Sequence, residues 1–433
     1  VVLMEVQTGN IKAIANLKRN ANGNYYEGYN YAIGESTEPG STFKLPALIA
    51  AIEDGYVDLD DVVDCGNGKL NLYDRTMYDS NYDEGGWGKI SVKRVFEVSS
   101  NIGMAKIIRG AYSKNPQKFV DHLKSMSLAE PLGISIAGEG SPNIKNTDNN
   151  SWSGITLEWM AHGYEVLQTP LQILTYYNAV ANNGKMVRPK FADKITKGRS
   201  VVREIETEVI NPAICSKSTI DKIKQALEGV IENGTARNLG NANYKIAGKT
   251  GTAQIANESY GYKYESKVSH QASFVGYFPA EDPKYSCIVV VNAPSRNVYY
   301  GNLVAGPIFK EVADKVYANS LEIHKPLGPQ KFLAASAIPY SKSGYGEDVK
   351  RVFQTMGVEM KSIAANPEWV TTSTQEKSVT LESRKVIENL VPNVKGMGVM
   401  DAVYLLENAG LKVRFVGRGT RANKGSVIVL ELT

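Results

Sequence analysis

The sequence is poor in cysteine and histidine. Its three cysteines, Cys65, Cys215 and Cys287, lie far apart without CxxC spacing, so neither a disulfide framework nor a zinc site is indicated, and structural thiols are the favoured interpretation. The four histidines are scattered and are interpreted as structural or surface residues: His122, His162, His270 and His324. No metal constellation or phosphate-cradling glycine loop occurs, so the sequence predicts no cofactor and no bound metal.

The sequence also lacks long apolar runs and blocks of one charge. No apolar run approaches the roughly 18 to 20 residues that span a bilayer. The 49 basic and 45 acidic residues are spread along the chain, without the Lys/Arg block that tracks phosphates, so nucleic acid is not an expected partner. The opening residues, Val1 to Val6, are typical of a core strand already in progress. We therefore expect a missing N-terminal segment that would hold any membrane anchor.

The residues that are present indicate a folded protein with more than one domain. Apolar residues make up 42% and charged residues 22%, a balance too rich in core formers for a disordered chain. A length of 433 residues exceeds the usual size of one hydrophobic core. Residues 322–388 are irregular and rich in Ser, Thr, Lys, Pro and Glu, which predicts a linker with a short helix near Val349 to Met356.

Periodic patterns predict the first elements of the chain. Residues 1–17 indicate a hairpin around Thr8-Gly9-Asn10. Apolar residues at i, i+3, i+4 and i+7 after Pro39-Gly40 predict a helix that begins near Ser41. Pro46 lies one turn inside that helix, where it should cost a hydrogen bond or a small kink.

Further elements follow towards residue 320. Residues 91–110 repeat the helical pattern in two pieces, with the polar tripeptide Ser99-Ser100-Asn101 at the break. Beyond residue 244 the pattern becomes strand-like, and the last two strands are expected to be antiparallel neighbours. The predicted strands are Tyr244–Ala256, Ala272–Tyr277 and Ser286–Val291. An amphipathic helix between about Ala305 and Val316 should cover this sheet.

Three short polar motifs occur in order along the chain. They are Ser41-Thr42-Phe43-Lys44, Ser99-Ser100-Asn101 and Lys249-Thr250-Gly251-Thr252. In the first motif, positions i and i+3 of a helix place a hydroxyl and an amine within hydrogen-bond reach, so Lys44 could deprotonate Ser41. The lysine must then be neutral part of the time, which burial and a second cation such as Lys249 would favour. The alternative is a helix-capping serine followed by a solvated lysine.

The other two motifs also have two interpretations each. Ser99 and Asn101 either cap the break between helices or act on a substrate, with Ser99 relaying a proton to a leaving amine and Asn101 holding a peptide carbonyl. The third motif is either an edge strand protected by a lysine or a ligand-binding edge. In the second case Gly251 removes a side chain where a peptide-like ligand could run as an extra strand. The neighbouring cation and hydroxyls suit a terminal carboxylate.

The ordered set of SxxK, SxN and KTG resembles the signature of the penicillin-binding proteins and serine β-lactamases. The resemblance covers roughly residues 1–320 and implies an α+β fold, with an antiparallel sheet flanked by helices plus a helical subdomain. It implies that Ser41, Lys44 and Ser99 are catalytic, and that backbone N–H groups of Ser41 and Thr252 form an oxyanion hole. It further implies that substrate or β-lactam is bound by Asn101, Lys249, Thr250, Gly251 and Thr252.

Two further stretches are similar to the same family. Gly163 to Gln172 resembles a segment that precedes the sheet, although Glu165 stands where many members have glycine. Phe274 to Pro279 resembles the strand after KTG. The lack of a glycosyltransferase-like region points to the monofunctional class B type. Residues 1–321 are therefore predicted to form a transpeptidase domain.

The end of the chain resembles a small α+β PASTA domain. Residues 389–433 show a helix pattern that stops at Gly410, followed by predicted strands Leu411–Val416 and Val427–Leu432. The module is shorter than the usual PASTA pattern, because the chain passes almost directly from Gly419 to the last strand.

The family resemblance implies a peptidoglycan DD-transpeptidase that works through a Ser41 acyl-enzyme and is inhibited by β-lactams. Expected partners are stem peptides, lipid-linked precursors, a membrane glycosyltransferase and division proteins, at the extracytoplasmic face of a bacterial membrane. The alternatives are a DD-carboxypeptidase, a serine β-lactamase or β-lactam sensor, and a non-catalytic muropeptide-binding scaffold. An intact set of motifs argues against the scaffold, and the lack of a convincing glutamate motif between 150 and 240 argues against the β-lactamase.

Overall fold

The computed structural model describes residues 1–198, 200–255, 269–294, 298–324, 338, 340–362, 367–375, 378–415 and 428–429. Packing divides the chain into two compact units, Val1–His324 and Lys325–Thr433. In the described ranges, no helix combines the length and the apolar character needed to cross a membrane.

The strands of the first unit include five that form its central sheet and several short hairpins around it. Their bounds are β1 Val2–Glu5, β2 Ile11–Ile14, β3 Leu17–Arg19, β4 Tyr25–Glu27, β5 Val62–Asp64, β6 Lys69–Leu72, β7 Arg75–Tyr78, β8 Lys89–Ser91, β9 Asn143–Ile144, β10 Val166–Leu167, β11 Met186–Val187, β12 Lys194–Lys197, β13 Ser200–Glu204, β14 Val209–Asn211, β15 Ala247–Ile255, β16 Ser269–Phe278 and β17 Tyr285–Asn292.

The helices of the first unit lie between and after these strands. Their bounds are α1 Tyr31–Gly34, α2 Lys44–Glu53, α3 Val92–Glu97, α4 Asn101–Tyr112, α5 Pro116–Ser125, α6 Thr156–Met160, α7 Pro170–Ala181, α8 Lys217–Glu232 and α9 Gly301–Asn319. Short 3₁₀ turns cover Gly40–Phe43, Tyr82–Glu84, Arg237–Leu239 and Leu321–Ile323.

The central sheet has the strand order β15-β16-β17-β1-β2 within the described part of the chain, and its pairs are antiparallel. The predicted hairpin and the predicted antiparallel neighbours are confirmed. The chain also pairs its first strand with β17, which no local pattern indicated. Residues 271–278 of β16 are all buried, which requires that both faces of the sheet are covered.

Helices α7 and α9 pack on this sheet and fix its position relative to the rest of the unit. Phe309 of α9 lies edge-on to Phe274, with ring centroids 4.7 Å apart, so the predicted covering helix is confirmed. On α7, Asn178 donates to the carbonyl of Val6 and accepts from the hydroxyl of Ser286, at 3.0 and 2.7 Å. These buried bonds tie α7 to β17 and to the residue that follows β1.

The predicted helix near Ser41 is present as a 3₁₀ turn, Gly40–Phe43, that continues into α2. Pro46 has no N–H for the carbonyl four residues before it, which belongs to Thr42. The hydroxyl of Tyr177 on α7 donates to that carbonyl at 2.8 Å. A side chain from another helix therefore replaces the missing backbone bond, and it also holds the turn that carries Ser41.

The second unit contains elements on both sides of residue 388. Their bounds are β18 Gly344–Tyr345, α10 Gly346–Thr355, β19 Glu359–Ser362, β20 Trp369–Thr374, β21 Ser378–Ser383, α11 Val399–Asn408, β22 Arg414–Phe415 and β23 Ile428–Val429. In the described residues the first four of these strands form a sheet of order β18-β20-β21-β19. Its buried apolar residues include Phe353, Val370, Val379 and Leu381.

The prediction of a linker over residues 322–388 is therefore wrong for residues 344–383. The predicted short helix exists as α10, but it packs on strands that the Ser/Thr-rich composition concealed. The strand Trp369–Thr374 contains four hydroxyl residues, and β-branched threonine fits a half-buried pleated surface as well as valine does. The proposed domain boundaries at 321/322 and 388/389 remain predictions.

The last predicted module is described only in part. Helix α11 ends before Gly410, as expected, and Arg414–Phe415 pairs with Ile428–Val429 in antiparallel fashion. Residues 411–413 of the predicted strand Leu411–Val416 are described and are not in a strand. The other parts of the two predicted strands, and the shortened connection after Gly419, lie outside the described residues. The PASTA resemblance stays a prediction.

Candidate active site

The SxxK motif places a lysine amine against a serine hydroxyl. Ser41 lies in the 3₁₀ turn and Lys44 is the first residue of α2, one turn later. The Nζ of Lys44 lies 3.1 Å from the Oγ of Ser41. The lysine side chain is fully buried, so the alternative of a solvated lysine is wrong.

The surroundings of the Lys44 amine contain one oxygen more than an ammonium can satisfy. Besides Ser41, the Nζ contacts the carbonyl O and Oγ of Ser99 at 2.6 and 3.0 Å, and Oδ1 of Asn101 at 2.7 Å. An ammonium has three N–H donors, whereas a neutral amine has two and a lone pair. The two carbonyl oxygens can only accept. A neutral Lys44 can therefore donate to both of them and accept the proton of a serine hydroxyl.

Burial favours this neutral form. It lowers the pKa of Lys44 from its ordinary value of 10.5 to about 7, and the negative charge of Asp79 opposes the shift. Burial also lowers the pKa of Lys249 well below its ordinary value, and the charge of Lys44 adds to that effect.

The second motif lies at the break between α3 and α4, as predicted. Ser100 caps α4, because its hydroxyl accepts from the backbone N–H of Gly103 at 2.9 Å. Ser99 has a left-handed backbone, with φ of 59°, which is uncommon for a residue with a side chain. The capping role thus belongs to Ser100, while the side chains of Ser99 and Asn101 face Lys44.

Asp79 fixes this second motif, and sequence analysis missed it. Its carboxylate is buried and accepts from the backbone N–H groups of Asn101 and Ile102, at 2.6 and 3.1 Å. It also accepts from the hydroxyl of Ser100 at 2.7 Å. A negative charge at the first turn of α4 is favourable for the helix dipole. No local pattern marks Asp79, because its partners lie more than twenty residues away along the chain.

The third motif lies on β15, the edge strand of the central sheet in the described residues. Lys249 is fully buried, donates to the carbonyl of Thr250 at 3.1 Å and lies 5.7 Å from the ring centroid of Phe96. The hydroxyls of Thr250 and Thr235 are 2.7 Å apart. The lysine therefore lies below the strand surface, while the Thr250 hydroxyl faces a groove.

Close packing requires glycine at position 251. A Cβ there would lie 2.2 Å from Oγ of Ser273 and 2.9 Å from the methyl of Thr42. The missing side chain thus allows the 3₁₀ turn to pack on β15, and the expected approach of a ligand along the strand stays a prediction. Gly40 makes a similar close contact, because its Cβ would lie 2.9 Å from that of Ala253. Both glycines hold Ser41 close to the strand that carries Thr252.

The motifs line one groove of about 880 Å³. Of the residues predicted from sequence, the groove is lined by Ser41, Ser99, Asn101, Thr250 and Thr252. Lys44, Lys249 and Gly251 are buried behind this surface. The structure thus brings three distant segments of the chain together around Ser41.

The groove also contains residues that sequence analysis did not place there. His162 and His270 line it. The interpretation of the four histidines as structural or surface residues stays a prediction. Aromatic rings form much of its walls: Tyr78, Tyr82, Trp87, Tyr164, Tyr299 and Tyr300. The ring of His270 stacks on Tyr299, with centroids 4.0 Å apart. These aromatic residues are scattered along the chain without periodicity, so the sequence alone could not predict that they lie around one groove.

A half-buried serine and a buried lysine lie beside a polar tripeptide and an edge strand, the arrangement expected of a penicillin-recognising protein. The comparison with protein families agrees, since residues 1–314 match the family described as penicillin binding protein transpeptidase domain. The chain belongs to this family. The predicted α+β transpeptidase fold is thereby confirmed.

Several curated relatives support the same assignment. Stage V sporulation protein D of Bacillus subtilis is 27% identical over 93% of this chain and 55% of the relative. Penicillin-binding protein PbpB of Mycolicibacterium smegmatis is 30% identical over 66% of this chain and 43% of the relative. The chain thus spans about half the length of the curated relatives it matches. These relatives are class B, division-type penicillin-binding proteins.

Solved structures show the same fold. Penicillin-binding protein 3 from Mycobacterium tuberculosis, in complex with aztreonam, superposes with a TM-score of 0.62 at 26% identity, over 75% of this chain and 73% of that chain. The apo transpeptidase domain of penicillin-binding protein 3 from Burkholderia pseudomallei has a TM-score of 0.61 at 25% identity, over 75% and 89%.

Proposed function

We propose that this chain catalyses peptidoglycan DD-transpeptidation through an acyl-enzyme on Ser41. The observation that carries the proposal is the contact between the Ser41 hydroxyl and a fully buried Lys44 whose pKa is lowered to about 7. Burying an amine costs free energy unless its charge is lost or paired, so a lysine buried beside a hydroxyl is expected to be neutral for part of the time. Such a lysine is suited to accept the serine proton.

In the acylation step, the Oγ of Ser41 attacks the carbonyl carbon of the penultimate D-Ala of a stem peptide. Its proton passes to Lys44, and the negative charge on the substrate oxygen is stabilised by the backbone N–H groups of Ser41 and Thr252. The C–N bond then breaks, and the terminal D-Ala leaves with a proton relayed through Ser99. The close packing of Gly40 on β15 supports this arrangement.

Substrate is held along β15. The stem peptide adds to the free edge as an extra strand, and its terminal carboxylate is bound near Thr250 and Thr252, with Lys249 behind them. The side-chain nitrogen of Asn101 donates one of its two hydrogens to the carbonyl of Tyr78 at 2.9 Å. Its second hydrogen is available for a peptide carbonyl of the substrate.

In the second step an amine of a neighbouring stem peptide attacks the acyl carbon, and the bond to Ser41 Oγ breaks. The same acyl-enzyme could pass to water, as in a DD-carboxypeptidase or a β-lactamase. Fast hydrolysis needs a positioned base. Among the described residues, Asp79 is the one carboxylate that lines the groove, and its oxygens already accept three hydrogen bonds. This favours the transpeptidase over the β-lactamase.

The biological setting is proposed from the relatives. Their names include a sporulation protein and peptidoglycan D,D-transpeptidases. We place the chain in septal or sporulation cell-wall synthesis, at the extracytoplasmic face of the membrane and anchored by an N-terminal segment. Its partners would be lipid-linked precursors, a membrane glycosyltransferase and division proteins. The C-terminal PASTA-like module would belong to the same assembly.

The test is covalent labelling of the purified chain with a fluorescent penicillin, compared with Ser41→Ala and with Ser36→Ala as a matched control. Ser36 donates to the carbonyl of Ser141 and does not line the groove. A stable adduct is expected on wild type and Ser36→Ala, with none on Ser41→Ala. Intact mass over hours then times deacylation. Rapid turnover would indicate a β-lactamase, and no adduct on wild type would reject the proposal.

A further inference from the structure

The imidazole of His162 is buried in the groove without a hydrogen-bond partner. The residue is 5% exposed, and neither Nδ1 nor Nε2 contacts a donor or acceptor among the described residues. Its side chain nevertheless lines the same groove as Ser41. Buried polar groups are nearly always hydrogen-bonded, so an imidazole nitrogen without a side-chain partner in a binding groove is suited to a hydrogen bond with a bound ligand.

The backbone fixes His162 next to the turn that carries Ser41. The carbonyl of the next residue, Gly163, accepts from the N–H of Gly40 at 3.1 Å. A Cβ at Gly163 would lie 2.0 Å from the carbonyl O of Gly40, so the two segments are in direct contact. His162 is also close enough to Lys44 for the charge of that lysine to lower the pKa of the imidazole.

The imidazole is neutral in this place. Burial, and then the charge of Lys44, lower the pKa of His162 to about 3. A neutral imidazole has one N–H donor and one lone-pair acceptor. It can therefore accept a hydrogen bond from an N–H or O–H group without taking up a charge that the site disfavours.

We propose that His162 binds and orients the nucleophile, an amine N–H or a water O–H, that attacks the acyl-Ser41 ester. The inference rests on the proposed function, since it concerns the second step of that reaction. His162 accepts a hydrogen bond from the nucleophile, whose lone pair adds to the acyl carbon. The bond from that carbon to Ser41 Oγ breaks, and the nucleophile's proton reaches Oγ through Lys44. His162 does not retain the proton, because so weak a base would lose it at once.

Aromatic packing is the competing explanation for His162. Its ring lies 5.8 Å from that of Trp159 and 5.2 Å from that of Tyr164. His162→Phe preserves a ring of similar size for these contacts and removes both nitrogens. His162→Asn removes the ring and retains an amide that can donate and accept. The two variants separate packing from hydrogen bonding.

The experiment compares both variants with wild type in the full chain. Acylation by a fluorescent penicillin reports the first step, and loss of the adduct by intact mass reports attack by water. Transfer of an acyl-D-alanine thioester to a D-amino acid reports attack by an amine. For His162→Phe we expect at least one mode of attack to slow about tenfold more than acylation does, the effect of one lost hydrogen bond. His162→Asn should retain more of that rate than His162→Phe.

The two modes of attack identify the ligand. A loss confined to the thioester assay assigns the site to the amine, and a loss confined to adduct hydrolysis assigns it to water. Wild-type rates in both assays for His162→Phe would overturn the inference and leave the proposed function standing. If His162→Phe does not fold, wild-type rates in both assays for His162→Leu would overturn it equally. A wild-type chain that forms no adduct would instead reject the proposed function.

Discussion

The two units of this chain differ most in what they bury. The first unit buries charged side chains completely: Lys44 and Lys249 have no exposed surface, and Asp79 is 2% exposed. In the described residues of the second unit, the buried polar side chains are the hydroxyls of Ser343 and Ser378. Its apolar clusters have four buried residues each, whereas a single extended core fills the first unit.

This difference shows what a large core makes possible. Removing a charged group from water is costly, and a fold can tolerate it only when many apolar contacts offset the loss. The same desolvation lowers the pKa of a lysine into the range where its amine can act as a base.

The largest expected effect comes from replacing the buried lysine with a cation that does not lose its proton. Lys44→Arg should lower the rate of acylation by a β-lactam about 10³-fold, because a guanidinium stays protonated and cannot accept the serine proton. The matched control is Lys342→Arg, an exposed lysine of the second unit. It should acylate like wild type. An acylation rate for Lys44→Arg within a few fold of wild type would remove Lys44 from the mechanism.

A smaller effect is expected for the carboxylate that holds the second motif. Asp79→Asn should lower the free energy of unfolding by about 1–3 kcal/mol, because an amide cannot satisfy three buried donors as a carboxylate does. It should also lower the pKa of Lys44 further, since Asp79 raises that pKa. Chemical denaturation measures the first effect and the pH profile of acylation the second.

The control for Asp79 is Asp348→Asn, an exposed aspartate in the first turn of α10. Its cost should stay within about 1 kcal/mol, the size of a helix-dipole interaction at the surface. Equal costs for the two substitutions would contradict the contrast between the buried carboxylate of Asp79 and the exposed carboxylate of Asp348.

The smallest effect is expected from removing residues 325–433. Among the described residues, those that line the groove all belong to the first unit, so its acylation rate should change by no more than about twofold, as for a domain that folds alone. The measurement is penicillin labelling of residues 1–324 next to the full chain. A loss of labelling with retained folding would show that the second unit contributes to the site.

Local patterns predicted the elements that depend on neighbouring residues. The hairpin at the start, the break at Ser99 and the antiparallel strands beyond residue 268 all follow from spacing and turn residues. The motif spacing also gave Lys44 and Ser41 as partners. These cases share a short sequence separation, where periodicity and side-chain direction determine contact.

Sequence analysis could not predict site residues that lie far from the three motifs along the chain. Asp79 and the hydroxyl of Tyr177 reach the site from segments with no motif of their own. The sequence also did not reveal what stabilises Glu165, which has a left-handed φ of 59° at a position where family members often have glycine. Its carboxylate is held by Thr156 at 2.8 Å and Lys145 at 3.0 Å, contacts that offset the strained backbone.

The central claim is that a buried, neutral Lys44 takes the proton of Ser41, and the pH dependence of acylation tests it most directly. The neutral fraction grows as pH rises through the pKa of about 7, so the rate should increase with pH and then level off. Between pH 6 and 8 the expected increase is about tenfold, with a midpoint near 7. A rate that is flat over this range, or that rises only towards the ordinary lysine pKa, would contradict the account.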